Sequence, residues 1–220
     1  MSRSPHAPPA TRVIKVGGSL FDEPRLPQLF GNWLSLQPGA HNILLAGGGT
    51  LVDAVRRVDR VHALGEERSH WLAVQAMSVT ASLLADLLPR ALLVQRFDKL
   101  VALLTNDKPA PEFEVRVFDC WQFLREVEPS VPGPRLPHHW QATSDSIAAR
   151  LAVAIGHAGQ SISELVLLKS KLPARGATLA EAAAAEVVDA CFADLATGLP
   201  RVRLVNLRSE PFAERIWPAE

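Results

Sequence analysis

Residues 13–21, VIKVGGSLF, constrain this chain more than any other stretch: a β-branched apolar run carries one lysine and stops at two glycines. Val13, Ile14 and Val16 suit a buried strand, where a lysine is costly unless its ammonium emerges at the strand end against a negative partner. Gly17 and Gly18 lack a Cβ, so the backbone can turn with positive φ and bring its N–H groups close to a ligand. Ser19 can open a following helix. Lys15, the glycine turn and the helix start are phosphate-handling parts, although glycine turns after strands and solvated strand-end lysines are both common.

The pattern recurs. Within residues 20–37, Leu26, Leu29, Phe30, Trp33 and Leu34 fall at helical spacing before Pro38 and Gly39 end the run, which predicts a crossover helix. Residues 42–46 form a second short apolar strand, closed by Gly47, Gly48 and Gly49 and followed by an amphipathic run over residues 50–64. Two parallel neighbouring strands with glycine turns at their carboxyl ends place both turns on one sheet edge, where open α/β sheets bind ligands. Residues 65–88 predict a central helix packed through Trp71, Leu72, Val74, Met77, Leu83, Leu84 and Leu87. His70 and Gln75 are its polar exceptions and are pocket candidates, with a hydrogen-bonded structural histidine as the competing reading of His70.

Strands are expected over residues 91–95 and 115–119 and a short helical turn over 121–125. Pro129, Pro132, Pro134 and Pro137 then stiffen a loop. His138 and His139 are adjacent, so they cannot address one metal from one helix face, and no metal site is expected. The loop leads to residues 140–151, WQATSDSIAARL. Thr143, Ser144 and Asp145 can start a helix by accepting hydrogen bonds from free N–H groups of its first turn. Asp145 has a second reading. Residues 164–171, ELVLLKSK, form a buried strand that again ends in lysine, and a carboxylate between two strand-end lysines would orient both ammonium groups for phosphoryl transfer.

The whole chain fits these parts. Its 220 residues can bury a sizeable core, and Lys plus Arg balance Asp plus Glu at 23 each, which favours small-molecule partners over nucleic acid or a membrane surface. Cys120 and Cys191 lack metal-ligand spacing and read as two buried thiols of a reducing compartment, with the cytoplasm as the default location. Residues 1–11 read as a flexible tail and 12–220 as a single domain. The apolar window over residues 71–94 is interrupted by Gln75, Asp86, Pro89 and Arg90, unlike a membrane span.

Three motifs in order, KVGGS at residues 15–19, AGGG at 46–49 and TSDSIAA at 143–149 with the strand LVLLKS after it, resemble the amino acid kinase family, the group of acetylglutamate, uridylate and aspartate kinases. The resemblance covers about residues 12–210. It implies a three-layer αβα sandwich with a mainly parallel sheet, ATP with Mg2+, a small-molecule phosphate acceptor and a homo-oligomer, dimer or higher. It also implies catalytic roles for Lys15, Asp145 and Lys169, and phosphate or substrate binding by Gly17, Gly18, Ser19, Gly47, Gly48, Gly49 and Thr143. Ser144, Ser170 and Lys171 are the nucleotide-binding candidates.

The chain departs from the family after the later strand, where Thr-Asp and a long nucleotide lobe are usual and Lys169, Ser170, Lys171, Leu172 and Pro173 stand instead. The nucleotide lobe is abbreviated, and Lys169 or Lys171 takes the place of the usual second lysine. With its VVDACF and VRLVNLR segments, this compact form is similar to the kinases of methanofuran biosynthesis, which act on an aminomethylfuran-methyl phosphate. The competing expectation is a binding or assembly protein that keeps the fold without efficient catalysis.

Overall fold

The computed structural model describes residues 10–105 and 115–218. Most of the expected tail lies outside the described residues, while Thr11, assigned to that tail by the sequence, is already the first residue of a strand. The strands are β1 (Thr11–Val16), β2 (His41–Ala46), β3 (Ala91–Val94), β4 (Val115–Phe118), β5 (Ile162–Lys169), β6 (Arg201–Asn206) and β7 (Ala213–Pro218). They form one sheet in the order β3-β4-β2-β1-β5-β6-β7. Every pair is parallel except β6 with β7. The central strands are β1, β2 and β5, the three that carry the motifs.

Strand alternation sorts their side chains into two cores. Val13, Ile43, Leu45, Leu165 and Leu167 point to one face, where they meet Ile147, Ala148 and Leu151 of α6 (Ser144–His157). Ile14, Val16, Leu44, Val166 and Leu168 point to the other, where Leu26, Leu29, Phe30 and Trp33 of α1 (Leu26–Ser35) cover them. Helix, sheet and helix make three layers. Because Lys15 shares the parity of Val13, and Lys169 that of Leu165 and Leu167, both lysines fall on the face of α6.

The remaining helices are α2 (Gly49–His62), α3 (Glu66–Leu87), α4 (Phe97–Leu104), α5 (Trp121–Glu126), α7 (Leu179–Ala184) and α8 (Phe192–Leu195). The expected crossover helix over residues 20–37 begins only at Leu26, since a single 3-10 turn, Gly18–Leu20, follows the first glycines. Helix α4 and strand β7 have no counterpart in the sequence reading. Cys120 is buried as expected, but Cys191 is partly exposed, because it sits at the outer start of α8. Among the described residues no helix is long and apolar enough to cross a membrane.

Candidate active site

Parallel pairing brings the carboxyl ends of β1, β2 and β5 to one edge of the sheet. There the Asp145 carboxylate lies between two lysines. Its Oδ1 is 2.9 Å from Lys15 Nζ, and its Oδ2 accepts a hydrogen bond of 2.6 Å from Lys169 Nζ. The contact with Lys15 is an ion pair without hydrogen-bond alignment. Lys15 and Asp145 are only 5% and 3% exposed, so the charges meet where water screens them little. Burial alone would raise the Asp145 pKa, but the two ammonium groups outweigh it and hold the carboxyl down to about 2. Burial pushes Lys169 down to about 8, opposed by Asp145 and reinforced by the charge of Lys15. Among the described residues Asp145 is the one hydrogen-bond or ion-pair partner of either ammonium, which leaves donors of both lysines for an anion.

The capping reading of residues 143–145 is overturned. No side chain of Thr143 caps α6, and the Asp145 oxygens go to lysines. The cap comes from Asp189, between α7 and α8. Its Oδ2 accepts from Thr143 N (2.9 Å), Thr143 Oγ1 (2.9 Å) and Ser146 N (3.0 Å), and its Oδ1 accepts from Ser146 Oγ. The sequence reading missed this residue, since an aspartate in VVDACF has no local signal that it reaches a helix more than forty positions earlier.

The two glycine turns pack directly on one another. A Cβ on Gly18 would lie 2.3 Å from Gly49 N, and one on Gly47 would lie 2.6 Å from Gly18 N. Gly49 also has φ +54°, where a side chain is strained. The glycines divide by role: Gly17 N–H donates to Leu168 O and Gly47 N–H to Val16 O, each at 2.8 Å, so these two stitch the strand ends together. Gly18, Gly48 and Gly49 line a cavity of about 250 Å³ with Ser19, Thr143 and Ser144. Ser19 Oγ and Ser170 Oγ are 3.0 Å apart, tying the first turn to the end of β5.

Away from the glycines, the cavity is walled by Arg56, His70, Met77, His139 and Trp140. The Arg56 guanidinium lies 4.7 Å over the Trp140 ring, whose Nε1 donates to Asp59 at 2.8 Å. His70 stacks on His138 with centroids 4.4 Å apart. Burial, then the charge of His138, pushes the His70 pKa down to about 4, so its ring is neutral at pH 7. Gln75, the other pocket candidate, is exposed and outside the cavity. Lys171 is exposed and does not join the lysine pair, because β5 ends at Lys169 and the chain turns away. Arg56 and Trp140 were not anticipated: an arginine on an amphipathic helix and a tryptophan after a proline loop read as surface and packing.

No family model matches the chain and no curated protein matches it. Among solved structures it is similar to aspartate kinase from Synechocystis, with a TM-score of 0.59 and 16% identity over 96% of this chain and 41% of that one. Uridylate kinase from Archaeoglobus fulgidus also aligns, at 16% identity over 76% of this chain and 68% of that one, with a TM-score of 0.49. The fold is the amino acid kinase fold, and the chain spans about two-fifths of the length of the aspartate kinase it matches.

Proposed function

We propose that this protein is an ATP-dependent phosphotransferase that moves a phosphoryl group onto a phosphate or carboxylate of a small molecule. One observation carries the reading: a single buried carboxylate shared by two strand-end lysines beside glycine turns. Phosphoryl transfer asks little covalent chemistry of a protein. It needs positive charge held where negative charge spreads in the transition state, in place before the reaction starts. Asp145 fixes both ammonium groups, Lys15 and Lys169 direct their free N–H groups at the transferring oxygens, and Gly18, Gly48 and Gly49 bring backbone close to them. Ser170, whose hydroxyl is 3.0 Å from that of Ser19, borders the nucleotide side of this reading.

ATP supplies the phosphoryl group and Mg2+ neutralises part of its charge. Among the described residues no three His, Cys, Asp or Glu side chains converge on a metal position. In this reading magnesium would come with the nucleotide phosphates, its common mode in kinases. The acceptor enters the 250 Å³ cavity, where Arg56 offers a cation to an anionic group and Trp140 and Met77 offer apolar walls. Such walls suit a small flat acceptor, and an aminomethylfuran-methyl phosphate is our first choice, resting on the sequence resemblance.

The test is transfer from labelled ATP with Mg2+ to a panel of small phosphates and carboxylates, that furan phosphate included. Label in one acceptor is the expected result. A thermal shift runs beside it, since a ligand at 100 times its dissociation constant adds about 2.7 kcal/mol of stability. No transfer and no shift with any nucleotide would overturn the reading in favour of a binding or assembly protein.

A further inference from the structure

We propose that Asp189 is a positioning residue that clamps the first turn of α6 so that Asp145 keeps both carboxylate oxygens for Lys15 and Lys169. An α-helix begins with N–H groups that lack intrahelical acceptors, and the residue closest to hand normally satisfies them. Asp145 stands in that first turn, and a carboxylate there is a ready local acceptor. Were it to fold back onto its own helix, it would leave two buried ammonium groups without a counter-charge. Asp189 removes the competition by accepting from both the backbone N–H and the hydroxyl of Thr143 and of Ser146, the residues that bracket Ser144 and Asp145.

The clamp is itself held firmly. Val187 and Val188 before it and Phe192 after it are buried, and Phe192 N–H donates back to Asp189 O at 3.1 Å. Asp189 also sits near enough to Lys169 to favour its charged form, so clamp and lysine feel one another directly. The connection between β5 and β6, the abbreviated part of the chain, therefore reaches back to set the geometry of Asp145. This role in turnover rests on the phosphotransferase reading. The clamp does not.

The experiment follows the Lys169 ammonium by NMR titration of the full chain with isotopically labelled lysine, in the parent, Asp189→Asn and Asp189→Ala. Asn keeps an oxygen for the two backbone N–H groups, whereas Ala keeps nothing. Asp189→Ala is expected to lower the Lys169 midpoint by about one pH unit as the Asp145 contact loosens, and Asp189→Asn to lower it by less than half of that. Where turnover is found, Ala should lose about tenfold or more in kcat with the KM for ATP within about twofold, and Asn should recover most of it. An unmoved Lys169 in Asp189→Ala would overturn the proposal. Equal shifts in Ala and Asn would also overturn it, because Asp189 would then act by charge alone and not through Asp145. If Asp189→Ala does not fold, Ser146→Ala, which deletes one of the four donors, should move Lys169 in the same direction, and no movement there would sink the clamp. A parent without transfer activity defeats the kinase reading while leaving the titration as the judge of the clamp.

Discussion

The two ends of β1 and β5 carry the same motif of charges put to opposite uses. At the amino ends the Glu164 carboxylate lies between Arg12 and Arg203, with Arg12 Nε at 2.6 Å and Arg203 Nη1 at 3.2 Å. At the carboxyl ends the Asp145 carboxylate lies between Lys15 and Lys169. The arginine cluster is spent on protein partners: Arg12 also donates to Asn42 Oδ1 and Pro38 O, and Arg203 to Gln37 Oε1, while Arg203 Nε lies 3.3 Å from Glu214 Oε2 as an ion pair without hydrogen-bond alignment and the guanidinium lies 5.8 Å from the Trp33 ring centroid. The lysine cluster keeps ammonium donors unspent, and next to it stand the glycine turns that line a cavity, although neither lysine lines that cavity itself. A planar guanidinium with five fixed donors closes a network, while an ammonium with three rotatable donors and a movable pKa keeps capacity for a ligand. What separates the two ends is therefore not burial or charge count but how many donors remain unspent, which in the phosphotransferase reading divides structure from function.

The sharpest way to break the comparison is Lys15→Ala. In the phosphotransferase reading it should cost on the order of 100-fold to 1000-fold in turnover, since it would delete one of the donors assigned to the transferring group. A variant that keeps more than about a tenth of the parental rate in the transfer assay would dissolve the distinction between the two ends.

Removing the shared carboxylate from each end in turn gives the matched pair. Asp145→Asn leaves two buried ammonium groups to repel, so turnover should fall at least about tenfold beyond any loss of folded protein. Glu164→Gln should instead cost about 3–5 kcal/mol in stability, read by denaturant unfolding, because it strands two buried guanidinium groups. Its turnover per folded molecule should stay near parental. A rate collapse in Glu164→Gln would mean that the amino-terminal cluster is part of the site.

Gly18→Ala probes the wall between the lysines and the cavity. Its Cβ would meet Gly49 N at 2.3 Å, backbone against backbone, with no flexible side chain to yield. The turns must separate, and about 1–3 kcal/mol of stability should go with them. An unchanged melting temperature would show that the two turns are free to move apart.

The mildest test is pH. Lys169, at about 8 in the folded chain against 10.5 as a free side chain, loses its proton on the alkaline side, so kcat/KM should fall with a midpoint near pH 8. Because that folded pKa is depressed, the unfolded chain binds more protons between pH 8 and 10.5, and Lys169 adds stability as pH rises through that window. Asp145, held at about 2 against 3.8, gives stability that is present above about pH 4 and lost as pH falls toward 2. Lys169→Arg should move the alkaline limb above about pH 10 while keeping the charge, since guanidinium does not titrate there. A limb still centred near 8 in that variant would assign it to another group.

The strands and turns of the site were legible because their signals are local. A β-branched run closed by glycine reads as strand and turn wherever it occurs, and alternation then places Lys15 on one face without reference to the rest of the chain. The parallel pairing of β1 with β2 followed from the repetition of that unit. Helix α4 escaped because eight residues of FDKLVALL give scarcely two turns of periodicity, and β7 because its six residues end in proline at the sheet edge. The choice between Lys169 and Lys171 was open in sequence, as both share a strand parity; it was decided by where β5 stops. The role of Asp145 was open for the same kind of reason, since a carboxylate in a first helical turn is equally good chemistry for a cap or for a lysine partner. Only the tertiary structure could decide, because the answer depended on a second carboxylate, Asp189, arriving from the connection that follows β5 to satisfy the helix instead. Local pattern determines which groups a chain owns at an edge, and long-range packing determines which of them are left unspent, because each donor has one proton to give and the competitor for it lies elsewhere in the sequence.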